Sequence, residues 1–303
     1  MRSKGLMLLL AIVIGAIDAV LFKVFEYIVN HGTQYIWNDL FNSDVDRWKV
    51  VPLGIVLGLL LSGLFVLLKQ KRIVPPKLSS VEEESSDEKP TLASLGIIFI
   101  IGAACLLAGA SLGPEASLVA MTGGLGLWFG YYSRNDKAAK LLQLSSIGAL
   151  LVAFFGSIIL ILLPLAMLLK KKKLSVTSAI PIVLAGASSY GALWLMDRNT
   201  EGYGSIPVPS SFHALDYLLA ALLGMATAVL GWLLKKYILK ANEAVKRYDK
   251  NYHWAISGAL FGLVIGLLYM LGGQSVEFSG SEGTKLLMHH SPEYSVWALV
   301  VIL

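Results

Sequence analysis

Nine apolar stretches, at residues 6–29, 51–68, 92–111, 114–132, 141–169, 176–196, 214–239, 254–272 and 284–303, constrain this chain more than any other feature. A helix of about 20 apolar residues crosses a hydrocarbon core. In lipid the backbone must close its own hydrogen bonds, so stretches of this kind are helices. The fold class that follows is an all-α polytopic membrane protein. Charge supports it. Only 15% of residues are charged, against about 25% in soluble domains, and they gather between the apolar blocks. The net charge of +5 therefore bears on orientation and on anionic headgroups of the lipid bilayer. Nucleic acid is not an expected partner, because no basic groove with interleaved aromatics is present. Cys105 is the single cysteine and lies in an apolar run, which excludes a disulfide. Residues 1–30 carry too long an apolar stretch, and no small-residue cleavage site, to be a cleaved signal peptide.

Loop charges orient the spans. Lys69, Lys71, Arg72 and Lys77 follow the second, Lys170 to Lys173 the fifth, and Lys235, Lys236, Lys240, Lys246, Arg247 and Lys250 the seventh. The loops at 30–49 and 197–212 hold few basic residues. The positive-inside rule places the amino terminus and the three basic loops in the cytoplasm of a cell-membrane protein. The acidic segment within 69–91 is then a cytoplasmic linker. Counting block 141–169 as one crossing leaves 92–132 a single net crossing, although it is long enough for two. Two tilted or partial helices meeting inside the membrane resolve this, and the break falls at Gly113-Pro114-Glu115. Trp37, Trp48, Tyr131, Tyr132 and Trp254 read as an interfacial aromatic belt. Asp18, inside the first span, faces either a polar cavity or Lys23.

The chain also looks like itself turned over. Gly15-Ala16-Ile17-Asp18-Ala19-Val20-Leu21 matches Gly224-Met225-Ala226-Thr227-Ala228-Val229-Leu230, with Tyr27 and Tyr237 farther on. Gly54, Gly58 and Gly63 match Gly258, Gly262 and Gly266 in the same order. The first copy starts inside and the second outside, an inverted-topology repeat of the kind that places ion sites at broken helices. Residues 1–196 form the first repeat and 197–303 the beginning of a second, incomplete one. The counterpart of the Glu115 break is expected past Leu303, so the chain reads as truncated. The glycines themselves have a packing role, letting helix backbones approach closely.

Ser111-Leu112-Gly113-Pro114-Glu115-Ala116-Ser117 resembles the S-L-G-R-E-G-P motif of the CLC chloride channels and proton-chloride antiporters. Gly123 and Gly126 lie near that family's following glycines. The resemblance runs along nearly the whole chain in hydropathy and glycine order, with Ser279-Gly280-Ser281-Glu282-Gly283 similar to a later glycine-rich turn. It implies a CLC-like inverted repeat with broken, tilted helices, chloride as the substrate, and a homodimer. It puts Glu115 on the family's gating glutamate. Pro114, Ala116 and Ser117 replace the motif's arginine, glycine and proline. The family's G-S-G-I-P motif has its nearest match at Arg72-Ile73-Val74-Pro75, without the serine. Its inner proton glutamate has no counterpart around Pro164-Leu165-Ala166-Met167.

The chemistry fits such a role. A helix amino terminus offers unpaired N–H groups and about half a positive charge to an anion. It does so without the tight hold of a lysine in a pore. Proline is favoured in the first turn, so a helix starting near Pro114 would present the amides of Ala116 to Leu118, with Ser111, Gly113 and Ser117 completing the anion site. The Glu115 carboxylate would occupy that site and leave it on protonation. The bland alternative is that Glu115 merely caps a helix at the interface. Without the inner glutamate, the expectation is passive or weakly proton-coupled anion transport. The rivals are a secondary transporter for another small anion and a non-conducting membrane scaffold. No cofactor or metal is expected: His289 and His290 are adjacent, not at i and i+4. No P-loop, H-E-x-x-H or nucleophile elbow points to an enzyme.

Overall fold

The computed structural model describes residues 2–40, 47–70, 90–110, 113–132, 136–170, 175–196, 213–247 and 250–272. The helices are α1 Arg2–Thr33, α2 Val50–Gln70, α3 Leu92–Leu107, α4 Glu115–Tyr132, α5 Asp136–Phe155, α6 Leu162–Lys170, α7 Val176–Met196, α8 Ala214–Arg247 and α9 Asn251–Gly272. A π-helical turn, Gln34–Leu40, extends α1. Among the described residues there is no strand. Six helices are long and apolar enough to cross a membrane; α3 and the segment Ile158–Lys170 are shorter. Leu9, Leu60, Ile100, Phe155, Leu195 and Leu223 are each more than half exposed. An apolar exterior of this extent suits hydrocarbon as solvent. The molecule is an all-α polytopic membrane protein.

The helix starts and stops follow local chemistry. α3 opens on a reciprocal cap: Ser94 N–H donates to Thr91 Oγ1 at 3.1 Å and Thr91 N–H to Ser94 Oγ at 3.0 Å. α1 runs past the expected residue 29 through Asn30, His31 and Gly32, polar residues that hydropathy does not count as span. α8 likewise continues past residue 239 into its lysines.

One expectation needs correcting. Block 141–169 is not a single crossing. α5 ends at Phe155, Gly156 takes φ +64°, and the segment Ile158–Lys170 turns back along α5. An added Cβ at Gly148 would meet Pro164, and one at Gly186 would meet both Ile161 and Val152. The left-handed backbone at Gly156, which only glycine adopts without strain, makes the turn. The crossing count based on that block therefore no longer locates the Gly113-Pro114-Glu115 break. Helix length does so better: α3 has 16 residues, about 24 Å at 1.5 Å per residue, short of the ~30 Å hydrocarbon core.

Close backbone approach holds the bundle together, since burying apolar surface gives little drive between helices already in lipid. α2 and α9 pack along their glycine rows. An added Cβ at Gly54 would lie 2.5 Å from the Gly262 carbonyl oxygen, and one at Gly266 would lie 2.7 Å from Val51 Cα. The two glycine rows matched in the repeat thus face each other, but in reverse order: Gly54 meets Gly262, not its repeat partner Gly258, and Gly58 meets Gly258. Gly63 has open space instead. α4 and α5 make the same kind of contact, with an added Cβ at Gly126 lying 2.5 Å from the Leu142 carbonyl oxygen. Serines bridge helices: Ser188 Oγ–H donates to Ile12 O at 2.7 Å and Ser189 Oγ–H to Ala149 O at 2.8 Å. We expect Gly262→Leu to destabilise the fold by at least about 1–3 kcal/mol, the range for overpacking. Gly63→Leu should leave thermal unfolding in detergent unchanged.

Candidate functional site

The break between α3 and α4 is built from its carbonyl side first. α3 ends in a Schellman motif, with Gly109 N–H bonded to Leu106 O at 2.9 Å, Ala110 N–H to Cys105 O at 3.1 Å, and Gly109 at φ +86°. Two side chains cap the carbonyls this leaves. Trp37 Nε1–H donates to Leu107 O at 3.0 Å, and Tyr269 O–H to Gly109 O at 2.8 Å. The two rings meet edge to face, 5.5 Å between centroids, and both are buried with Val50, Leu53 and Ile265. The end of α1, the start of α2 and the end of α9 therefore converge on the α3 terminus. The break lies toward the end of the bundle opposite the amino terminus of α1. Trp37 is accordingly not a belt residue. It is fully buried, while Trp48 is exposed as the belt reading expects.

α4 then starts at the break. Its first ladder bond is Leu118 N–H to Pro114 O at 3.0 Å. Pro114 has no N–H to lose there, and the amides of Glu115, Ala116 and Ser117 precede the ladder. This corrects the proposed anion set. Leu118 spends its amide inside the helix and buries its side chain in the core with Phe25, Leu95 and Met121. The Ser117 side chain lies against α3, where an added Cβ on Gly102 would sit 2.5 Å from its Oγ. Its backbone, not its hydroxyl, is what remains for an anion at the α4 terminus. Ser111, with Leu112, lies outside the described residues, and of Ala116 only the helical backbone is described.

Gly113 and Glu115 are brought together. The Glu115 side chain turns back so that a Cβ added at Gly113 would fall on its carboxylate. The carboxylate is exposed and stands over the first turn of α4, where the helix dipole is positive. Gly123 and Gly126 form part of the α4–α5 contact.

The model of the voltage gated chloride channel family matches residues 63–303, most of the chain and including the break. The chain belongs to that family. Among solved structures, a slow cyanobacterial Cl-/H+ antiporter is similar at a TM-score of 0.76 and 18% identity, over 98% of this chain and 70% of that one. At that identity the likeness speaks for the fold. No curated protein matches in sequence.

Sequence reasoning missed two parts of this region. The Trp37–Tyr269 clamp joins residues far apart in the chain, and its only signal was two amphipathic aromatics at span ends. Asp18 does not pack beside Lys23, which pairs with Glu26 at 2.9 Å. Asp18 is instead fully buried against Ser146. Tyr269→Phe should leave the Gly109 carbonyl buried and unpaired, lowering stability by about 1–3 kcal/mol. Thermal unfolding in detergent measures it, with Tyr252→Phe, an exposed tyrosine on the same helix, as the neutral control.

Proposed function

We propose that this protein moves chloride, or a similar small anion, across the cell membrane along a path that passes the amino terminus of α4, with Glu115 as its gate. The observation that carries the reading is the pairing of leading α4 amides with a carboxylate folded over Gly113. A chloride at this terminus would be held by N–H groups and the dipole, without a lysine to trap it. Glu115 competes for the same positive potential. When ionised it occupies the terminus; when protonated it loses that attraction and can swing away. Family membership supports anion transport in general, and the gate and the choice of ion are our reading of this break.

Transport on this reading is passive or weakly proton-coupled. α6, which takes in Pro164 to Met167, carries no carboxylate, so the second proton station implied by the resemblance is missing from its expected place. The protein works as a homodimer with its amino terminus in the cytoplasm. The residues assigned to the anion are Gly113, Ala116 and Ser117 through the backbone, together with Ser111.

Chloride efflux from proteoliposomes tests the gate. Glu115→Gln imitates the protonated state and should raise flux at neutral pH and flatten its pH dependence. Glu115→Ala should do the same. Wild-type flux should rise as the pH falls, because acid neutralises the gate. If both variants conduct as the wild type does at every pH, Glu115 is only a helix cap and the gating assignment is wrong.

A further inference from the structure

Asp18, in the middle of α1, has 0% of its surface exposed, as do Thr122 on α4 and Ser146 on α5. Ser146 Oγ lies 2.6 Å from Asp18 Oδ2 and 2.7 Å from the Thr122 carbonyl oxygen. Both are short hydrogen-bond distances. A serine hydroxyl has one proton, and it cannot serve two acceptors this closely at full strength. A carbonyl has no proton to give, so a second can come only from the carboxyl group. With Asp18 protonated, Oδ2–H donates to Ser146 Oγ while Ser146 O–H donates to Thr122 O; with it ionised, the two acceptors share the one Ser146 proton. Two more polar atoms, Asp18 Oδ1 and Thr122 Oγ1, are buried without a hydrogen-bond partner among the described residues. An ionised carboxylate here would be left nearly uncompensated, and burying one is far costlier than burying the neutral acid.

Among the described residues no cation is bonded to the Asp18 carboxyl. On α1, Lys23 and Glu26 hold each other. On α4 the ionisable residues are Glu115, at its start, and Tyr131 and Tyr132, at its end. Lys140 on α5 and Tyr190 on α7 are exposed, and Cys105 lies on α3. Ser146 is the one side chain bonded to the Asp18 carboxyl among the described residues.

We propose that Asp18 is an intramembrane proton-binding site that takes up and releases a proton during transport, with Ser146 as the hydroxyl that follows its protonation state beside α4. This rests on the anion-transport reading above and deepens it. Thr122 follows Glu115 by seven residues, about 10 Å along the helix at 1.5 Å per residue, and two turns place both on one face of α4. When the proton leaves, Asp18 becomes a carboxylate and Ser146 O–H turns partly from Thr122 O to Oδ2, the only local donor now bonded to it. The proton passes from Asp18 to a water molecule, because the Thr122 carbonyl accepts a hydrogen bond and carries no proton onward. The site thereby fills the role left open by the missing acid on α6, from a different helix.

Two measurements on lipid-reconstituted protein test it. Infrared difference spectra between wild type and Asp18→Asn should show the carbonyl band of a protonated carboxylic acid in the wild type alone; a carboxylate band in its place overturns the proposal. Proton movement driven by a chloride gradient should accompany wild-type flux, and Asp18→Asn should carry fewer protons per chloride. An unchanged ratio, or wild-type chloride flux without protons, also overturns it while leaving the anion reading intact. If chloride itself does not move, the anion reading fails and the infrared result still decides the protonation of Asp18. Ser146→Ala covers the case in which Asp18→Asn does not fold. It should shift the acid band and slow proton movement, and a spectrum identical to wild type contradicts the Asp18–Ser146 pairing.

Discussion

A helix that stops inside a bilayer leaves carbonyls and amides that lipid cannot bond, and the rest of this structure depends on how that is answered. On the α3 side the answer is complete. Gly109 turns the chain into a Schellman motif, Trp37 takes the Leu107 carbonyl and Tyr269 takes that of Gly109. Irregular backbone at this depth is tolerated only where protein surrounds it or water lines it. α1, α2 and α9 meet at that point, where Tyr269 reaches Gly109 from α9 and the α2–α9 glycine contact begins at Val51 and Gly266. On the α4 side the answer is left open. The leading amides have no helix carbonyl before them, and a carboxylate stands by. The asymmetry, one terminus sealed and the other available, is what makes the break a candidate ion site and not a defect.

The electrostatics follow from the same backbone. The amides and the dipole at the α4 terminus attract any anion within the first turn, and Glu115 is the nearest one by covalent connection. Its attachment gives it an effective concentration that free chloride lacks, and on the proposed reading its protonation state decides which of them occupies the terminus. Two turns along α4, beside Thr122, lies Asp18 of α1, whose carboxyl is bonded to Ser146 and to no cation among the described residues. The two carboxyl groups thus differ in kind. One is exposed and placed against positive potential, and the other is enclosed with hydroxyls.

Much of this was legible in the sequence because lipid makes hydropathy decisive. The blocks at 51–68, 114–132, 176–196 and 254–272 became α2, α4, α7 and α9 with ends moved by only a few residues. The turn at Gly156 was not legible, since the apolar run passes through it unbroken and the only mark is one glycine among many. The block at 284–303 and the turn at 279–283 lie outside the described residues. At the site, Pro114 and Glu115 announced a helix start, but Leu118 was assigned one residue too far: the ladder begins at the Pro114 carbonyl, sooner than the motif alone suggests. Trp37 was seen and misplaced, and Asp18 was left between a polar cavity and Lys23. Span-end aromatics usually sit at the interface, and a lysine five residues on was the nearest visible charge. What decided both was contact across the fold, with Leu107 and Ser146, which no local pattern encodes.

The most direct test of the central claim is to locate the anion itself. Crystals of the protein grown or soaked in bromide, measured at the bromine absorption edge, should show an anomalous peak within hydrogen-bond distance of the Ala116 and Ser117 amides, stronger in Glu115→Gln than in the wild type. Bromide bound elsewhere in the bundle, with the α4 terminus empty in both proteins, would contradict the account.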